Sequence, residues 1–321
     1  MPKRHKPRKG SLQFWPRVRA EKILPSVNWT PLYGREKTGQ KILGFFGYKA
    51  GMLRVLVNDL TQHSMTKNKE IVVPVTVIEC PPLKLYSIRL YKNGRVVAEA
   101  VVSNEKELKK IVKAPKELQL AKLPDIEKSI EGYDDAKIIL YSDIRKIHLK
   151  KTPDISEIAL SGSIKEKFEF AKGLIGKEIN ISDVFSAGQL IDVHAVTKGH
   201  GFQGPMKRFG IGKRSHKSEK GVRRPGTLGP WTPSKVMFYA PQAGQTGFFT
   251  RVIYNSKIIK IASAEINPKK GFHRYGFVKN PCLLMKGSIQ GPAKRPVLLA
   301  ISARPSKNAG KKNYEIIKIM N

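Results

Sequence analysis

Short apolar runs alternate with turn residues over most of the chain, a pattern typical of β-strands joined by tight turns. The runs predict strands at 42–48, 53–57, 71–78, 85–90, 96–102, 190–196, 236–239, 250–254, 258–261, 282–289 and 297–301. Turns are predicted at Lys49–Met52, at Asn93–Gly94 and at Asn255–Lys257. Pro74 lacks a backbone N–H, so we expect it at the start of its strand or at a bulge. Many short strands with tight turns predict a closed barrel or a sandwich.

The apolar period changes to that of a helix between residues 103 and 184, a segment called the insert below. Two pairs with capping-box spacing predict helix starts at Asn104–Glu107 and Ser163–Glu166. Apolar residues of 164–171 then fall on one helical face, and 138–141 predict a return strand. The insert is therefore expected to pack on the barrel and to face solvent.

A central segment, residues 198–235 and called the finger below, follows neither period. Its single acid is Glu219, whereas its lysines and arginines are Lys198, Lys207, Arg208, Lys213, Arg214, Lys217, Lys220, Arg223, Arg224 and Lys235. Its frequent glycines let backbone N–H groups approach an anion, and the interleaved cations neutralise phosphates. Too little apolar surface is present to repay the entropy of ordering, so the segment needs a polyanion to hold it.

A glycine fingerprint inside the finger raises one alternative. Residues 199–204 match G-x-G-x-x-G and follow a predicted strand, as in dinucleotide-binding folds. Pro205 and two later glycines argue against a helix after the third glycine. The acid expected about 20 positions further on is replaced by Arg223 and Arg224, so the pattern argues against a dinucleotide site.

Charge is distributed unevenly along the 321 residues, which hold 60 Lys and Arg against 25 Asp and Glu and carry a formal charge of +35. Residues 103–183 hold 16 bases and 15 acids, so the rest of the chain carries +34. This partition predicts two kinds of surface, one facing water and one facing phosphate.

The first forty residues form a second basic segment, called the arm below. Up to residue 22 its cations are Lys3, Arg4, Lys6, Arg8, Lys9, Arg17, Arg19 and Lys22, against Glu21 alone. Phe14, Trp15 and Trp29 are interleaved with these charges, and five prolines prevent regular structure. A disordered tail with an exposed targeting signal is one interpretation. We favour an arm that orders along RNA, its aromatics stacked on bases or packed in a crevice.

Other chemistry finds little support in the sequence. Cys80 and Cys282 are the only cysteines and are expected as core residues in a reducing compartment. The seven histidines are scattered, so no zinc site is expected. The basic start has no apolar segment after it, and charges interrupt every long apolar run, so we expect neither a signal peptide nor a membrane span.

Two other protein classes share the positive charge. An RNA-modifying enzyme needs convergent acid, base or nucleophile groups. The best candidate pair is Asp192 with His194, for which a satisfied structural pair is the favoured interpretation. A DNA-packing protein needs neither a neutral insert nor a glycine-rich finger.

Several spaced motifs carry a family resemblance over nearly the whole chain. The signature positions are Phe185, Asp192, Ala195, Thr197, Gly199, His200, Gly201, Gly204 and Arg208, with flanking blocks at 47–52, 74–79, 243–252 and 283–292. With these residues the chain resembles the L-three family of large-subunit ribosomal proteins. The block at 11–17 and the insert are similar to the archaeal and eukaryotic branch, in which we place the chain as archaeal.

The resemblance implies an α+β fold, mainly β with an α insertion: a translation-factor-like closed β-barrel with the helical insert, the finger and the extended arm. It implies a structural, non-enzymatic constituent of the large ribosomal subunit in the cytoplasm. The protein would bind large-subunit rRNA near its 3′ end, nucleate assembly and send the finger towards the peptidyl transferase centre. Expected neighbours are the large-subunit proteins L-fourteen and the L-twenty-four-e type. No cofactor, metal, membrane or homo-oligomer is expected.

The predicted division is the arm 1–40, barrel 41–102, insert 103–184, strand 185–197, finger 198–235, closing strands 236–305 and a C-terminal tail 306–321. Predicted rRNA-binding residues are Lys3, Arg4, Lys6, Arg8, Lys9, Trp15, Arg17, Arg19, Lys198, His200, Lys207, Arg208, Lys213, Arg214, His216, Lys217, Lys220, Arg223, Arg224, Trp231, Lys235 and Arg251. Trp231 has an alternative role as a local cap for Val222, Leu228 and Val236. Packing on RNA is favoured, because a tryptophan in a loop without a core needs a surface to cover.

Overall fold

The computed structural model describes residues 9–33, 41–113, 115, 118–262 and 266–320. The chain divides into two compact units. The larger unit comprises Ile23–Ala195 and Val252–Asn321, and the smaller unit comprises Met1–Lys22 and Val196–Arg251.

Most regular structure in the described residues is β. The strands are β1 (Gly44–Asp59), β2 (Glu70–Glu79), β3 (Leu83–Lys92), β4 (Arg95–Val101), β5 (Asp135–Ser142), β6 (Ile155–Ala159), β7 (Glu178–Ile179), β8 (Leu190–Val196), β9 (Gly199–Gln203), β10 (Gly244–Gly247), β11 (Thr250–Ala262), β12 (Cys282–Lys286), β13 (Pro296–Ile301) and β14 (Tyr314–Met320). The helices are α1 (Lys122–Lys128), α2 (Ile164–Gly173), α3 (Pro205–Phe209) and α4 (Lys307–Lys311). The predicted α+β class, mainly β, is confirmed.

A seven-stranded sheet has the order β13-β8-β11-β12-β2-β1-β14, and β1 also pairs with β13. The first part of β1, Gly44–Tyr48, pairs with β13, and its last part, Arg54–Asp59, pairs with β14. Strands β13 and β14 thus both pair with β1, because each pairs with a different half of this long strand.

The turn predicted at Lys49–Met52 is wrong, because β1 runs through it without interruption. Its register against β2 shifts between Lys49 and Gly51, which indicates a β-bulge. A Cβ on Gly51 would lie 2.6 Å from the ring of Phe272, so glycine is needed there for close packing. The turn-like residues therefore bend a strand and do not end it.

Pro74 lies in the middle of β2, not at the predicted start or bulge. Its carbonyl accepts a hydrogen bond from the Gly287 N–H at 2.9 Å, just beyond the last residue of β12. The backbone nitrogen of Pro74, which has no hydrogen to donate, therefore points towards the end of β12, where the strand pairing has stopped. The proline costs no ladder hydrogen bond there.

Two predictions after the finger are also wrong. Residues 250–262 form the single strand β11, so the hairpin at Asn255–Lys257 is absent. Asn255 has φ 57°, and its N–H donates to the Asp192 carboxylate at 2.8 Å, which stabilises this irregular residue within the strand. Residues 236–239 form no strand. Phe238, one of their apolar side chains, instead packs against an aromatic ring of the smaller unit.

A second sheet has the order β4-β3-β5-β6, and β7 pairs with β3. Asn93 and Gly94 both have positive φ and form the predicted hairpin between β3 and β4. Strand β3, which the sequence places in the barrel together with β4, thus pairs with β5 of the insert.

The Ser163 capping box is present at α2, with Phe168 and Ala171 buried as predicted. The capping box at Asn104 is wrong. The Asn104 amide donates to the Pro115 carbonyl, and only a 3₁₀ turn follows, at Leu108–Lys110.

One hydrophobic core serves both sheets of the larger unit, with Phe45, Phe46, Phe168 and Phe185 among its fully buried residues. Trp29 of the predicted arm belongs to this core, with 3% of its surface exposed. Cys80 and Cys282 are buried, as predicted. The predicted C-terminal tail contains α4 and β14, and β14 pairs with β1.

Candidate nucleic-acid interface

A two-stranded ribbon organises the smaller unit. Strands β9 and β10 pair antiparallel, with Gly199 opposite Gly247. Gly247 has φ +71°, and a Cβ there would lie 2.0 Å from the Lys198 carbonyl oxygen. Only glycine allows the backbones to approach this closely.

The glycine fingerprint leads into a helix after all, because α3 begins at Pro205 directly after Gly204. Proline is compatible with the first turn of a helix, where its N–H would have no partner. Gly210, with φ 66°, ends α3 after five residues. The fingerprint strand pairs in an antiparallel ribbon, so the βαβ frame of a dinucleotide site is absent from the described residues.

The described part of the arm packs within this unit. The Ala20 N–H donates to the Phe248 carbonyl at 2.8 Å. Trp15 stacks on Phe209 and contacts Phe238 edge-on. The predicted RNA-contacting residue Trp15 is therefore largely engaged within the protein.

Three predicted arginines lie over aromatic rings of the same unit. Arg17 lies over Phe209 at 4.5 Å, and Arg19 lies over Phe248 at 4.9 Å. Arg251 lies over Phe14 at 4.6 Å, and its burial lowers the pKa of its guanidinium. These contacts attach the arm while placing positive charge along its course.

Two finger arginines brace the backbone. Arg208 Nε donates to the Gln245 carbonyl at 3.1 Å, and one of its terminal nitrogens donates to the Gln242 carbonyl at 3.0 Å. Burial lowers the pKa of Arg208. Arg214 donates to the Pro225 carbonyl across the finger. Both arginines therefore hold the loop in shape as well as supplying charge.

The remaining predicted lysines, arginines and histidines of the described residues are exposed. They are Lys9, Lys198, His200, Lys207, Lys213, His216, Lys217, Lys220, Arg223, Arg224 and Lys235. Within the described ranges none of them has a carboxylate at ion-pair distance, whereas ion pairs cluster between Lys84 and Glu178. Lys3, Arg4, Lys6 and Arg8 lie outside the described residues.

Trp231 is 93% exposed, so it does not act as a local cap for the apolar residues of the finger. Phe202 on β9 is 78% exposed and was missed by the sequence analysis. The sequence feature that could have indicated this residue is an aromatic side chain between two glycines, in a segment too polar to form a core strand. Two large rings are thus presented to solvent among unpaired cations, as in single-stranded RNA-binding surfaces.

The candidate catalytic pair is structural. Asp192 is buried, and its two carboxylate oxygens accept hydrogen bonds from the N–H groups of Asn255 and Ala303 at 2.8 and 2.9 Å. Burial lowers the pKa of His194, although the charge of Asp192 opposes this shift. The described part of the chain contains no cluster of potential metal ligands. It also has no helix long and apolar enough to cross a membrane.

The sequence matches a family model described as Ribosomal protein L3 over residues 1–319. Large ribosomal subunit protein uL3 of Archaeoglobus fulgidus is 42% identical, covering 95% of this chain and 94% of that protein. The protein of the same name from Methanocella arvoryzae is 40% identical, covering 97% and 96%. That from Pyrobaculum calidifontis is 42% identical, covering 95% and 94%.

Proposed function

Because the chain belongs to the ribosomal protein L3 family, we propose that its smaller unit binds large-subunit rRNA through the finger and the arm. Members of the family are structural constituents of the large ribosomal subunit and not enzymes. The chain is therefore a component of that subunit, located with it in the cytoplasm.

The observation that carries the proposal is the separation of charge. The smaller unit contains nineteen lysines and arginines against Glu21 and Glu219. Exposed cations without carboxylate partners repel one another in the free protein, and phosphates relieve this repulsion with release of counterions. In the insert, by contrast, pairs such as Lys137 with Glu157 neutralise the surface.

The two exposed rings add a mode of base recognition. Trp231 and Phe202 both lie within the finger, Phe202 on its strand β9, and both are exposed and so able to stack on unpaired bases. Together with the family resemblance, this supports a finger that extends along rRNA towards the peptidyl transferase centre. We further propose binding near the 3′ end of the rRNA, a role in nucleating assembly, and contacts with the neighbours L-fourteen and the L-twenty-four-e type.

The larger unit would then serve as the scaffold. The pairing of β1 with β13 supports a sheet that returns on itself through β2, β12, β11 and β8, as a closed barrel requires. Both ends of the segment 196–251 continue into strands of this sheet, β8 and β11. We propose the division into arm, barrel, insert and finger on this basis.

Binding of the purified protein to a 3′-region rRNA fragment and to duplex DNA, across a salt series, tests the function. The test variant replaces five exposed finger cations by glutamine, namely Lys213, Lys217, Lys220, Arg223 and Arg224. The matched control makes the same charge change in the insert at Lys106, Lys109, Lys110, Lys113 and Lys122, which are also exposed.

We expect the wild-type protein to prefer rRNA. The finger variant should have a salt slope smaller by about 0.7–0.9 per phosphate contact removed, with little change in the control. If duplex DNA competes equally at every salt concentration, the rRNA-binding proposal fails. If the salt slope of the control falls as much as that of the finger variant, the finger is not the binding surface.

A further inference from the structure

A second concentration of positive charge lies outside the finger and the arm. Residues 252–321 hold fourteen lysines and arginines against two acids, Glu265 and Glu315. The sequence pattern predicts a tail for the last part of this segment, 306–321. In the structure it forms α4 and β14 instead.

A buried lysine holds this C-terminal segment in place. Lys257 on β11 is 9% exposed, and its Nζ donates to the Gly310 carbonyl at 3.3 Å and to the Lys312 carbonyl. Nearby, Lys286 Nζ donates to the Tyr314 hydroxyl and lies 4.4 Å from the centroid of that ring. Backbone and hydroxyl oxygens, which carry no formal charge, thus hold the ammonium groups of Lys257 and Lys286, and Lys312 follows on from α4 in the same segment.

The electrostatics of this cluster are unbalanced. Burial lowers the pKa of Lys257, and the positive charges of Lys286 and Lys312 lower it further. No carboxylate of the described residues is among the groups that shift it. Glu315 lies opposite Asn58 on β1 and is exposed to solvent. Positive charges held together without an acid cost free energy, which a bound anion would recover.

We propose that Lys286 and Lys312, with the exposed Lys307 and Lys311 of α4, form a second phosphate-binding surface for the rRNA backbone on the larger unit, and that the buried Lys257 holds this segment in place and adds its positive charge. This inference rests on the proposed rRNA-binding function. Lysine ammonium groups act as point charges towards phosphate and do not read base edges. The surface should therefore add affinity and fix orientation, without selecting a sequence.

The test uses the full-length chain with Lys286→Gln and Lys312→Gln combined. The Lys312 carbonyl that binds Lys257 remains in this variant. A second variant, Lys307→Gln with Lys311→Gln, changes only exposed side chains and avoids the hydrogen bond to Tyr314. The matched control is Lys269→Gln with Lys270→Gln, two exposed lysines in the same C-terminal segment with the same change in charge.

Two measurements are compared with those for the finger variant. The first is the salt slope of rRNA binding, which should fall in both test variants by about 0.7–0.9 for each phosphate that is no longer bound, and should stay near wild type in the control. The second is hydroxyl-radical footprinting of the rRNA. We expect the test variants to lose protection at nucleotides different from those exposed by the finger variant.

The outcomes separate this inference from the proposed function. If the finger variant lowers the slope and both lysine variants leave it unchanged, the second surface is refuted and the finger stands. If the salt slope of the control falls as much as that of the lysine variants, the effect comes from net charge alone and the proposed site does not exist. If none of the variants alters the slope, the proposed function itself fails.

Inorganic phosphate at constant ionic strength distinguishes a free anion from rRNA as the ligand. It should raise the melting temperature of the wild-type protein more than that of the Lys286→Gln, Lys312→Gln variant. Such stabilisation with an unchanged rRNA slope and footprint would identify a site for a free anion and would overturn the assignment to rRNA.

Discussion

The indole of Trp15 stacks on the ring of Phe209, with centroids 6.4 Å apart and planes 12° from parallel. Phe238 contacts the same indole edge-on at 5.6 Å. Trp15 belongs to the arm, whereas Phe209 ends α3 in the finger, so this contact joins two segments almost two hundred positions apart in sequence. Contacts within the protein thereby hold the described part of the arm.

Trp15→Ala should release the arm. Each aromatic pair is worth about 0.5–1.5 kcal/mol beyond its buried area, and the substitution removes two pairs. Limited trypsin digestion should therefore cut after Arg17 and Arg19 faster in the variant than in the wild type. Leu12→Ala, at an exposed arm residue, is the control. Equal cleavage rates in all three proteins would show that the stack does not hold the arm.

Trp231→Ala should separate stability from binding. Its side chain is 93% exposed, so the melting temperature should stay at the wild-type value. Loss of one stacked base should weaken rRNA binding by about 1–3 kcal/mol. Val236→Ala, exposed in the same region, should leave both unchanged. Unaltered affinity in Trp231→Ala would mean that the indole does not contact RNA.

Gly247→Ala should distort the ribbon. The residue has φ +71°, and the new Cβ would lie 2.0 Å from the Lys198 carbonyl oxygen. We expect a loss of about 1–3 kcal/mol in the stability of this region, measured by hydrogen exchange of the β9 and β10 amides. Gly212→Ala is the control, since a Cβ there meets no atom within 4 Å. Similar exchange in both variants would contradict the close approach.

Glu79→Gln should destabilise the larger unit. One oxygen of this buried carboxylate accepts from the N–H groups of Lys279 and Asn280, both at 2.9 Å, and the other accepts from Tyr275. Burial and the charge of Glu79 raise the pKa of Tyr275, so its hydroxyl remains a donor at neutral pH.

Replacing one oxygen of Glu79 by an amide leaves a buried donor without an acceptor, which should cost about 1–3 kcal/mol in urea unfolding. Glu169→Gln, at an exposed position, should change unfolding by less than about 0.5 kcal/mol. A Glu79→Gln protein as stable as this control would refute the structural role of the carboxylate.

Asp59 should make stability depend on pH in the acid range. Hydrogen bonds from Thr61, Thr66 and Ser64 hold the pKa of its carboxyl well below the ordinary value. The unfolded chain therefore takes up the proton first as pH falls. The stabilisation is complete above the unfolded pKa of about 4 and is lost as pH drops towards the folded pKa.

Asp59→Asn should thus be less stable than the wild type at pH 7, and the difference should shrink below about pH 4. Urea unfolding of both proteins from about pH 7 to about pH 3 measures it. A difference that is constant across this range would show that ionised Asp59 is not preferentially stabilised in the fold.

Local sequence determined the features that need few partners. Asn93 and Gly94 specify their turn because both accept positive φ, and Ser163 starts α2 because its side chain caps the third backbone N–H. The buried strand β8 follows from its five apolar residues, although Asp192 and His194 lie between them. The uneven distribution of charge along the chain could also be predicted, because formal charge does not depend on folding. The spaced motifs were enough to identify the family.

Tertiary partners decided the rest. The turn signals at Lys49–Met52 and at Asn255 became irregularities within long strands. Strand β2 continues past the first, and at the second the Asp192 carboxylate accepts the backbone N–H of Asn255. Two tryptophans of the predicted arm differ in their packing, because Trp29 lies in the core of the larger unit whereas Trp15 stacks on Phe209. The lysine cluster under α4 joins residues 257, 286 and 312, which no local pattern connects. The burial and strand pairing of a residue depend on which distant segments contact it. Those contacts are determined by the hydrophobic and hydrogen-bond free energy of the whole fold.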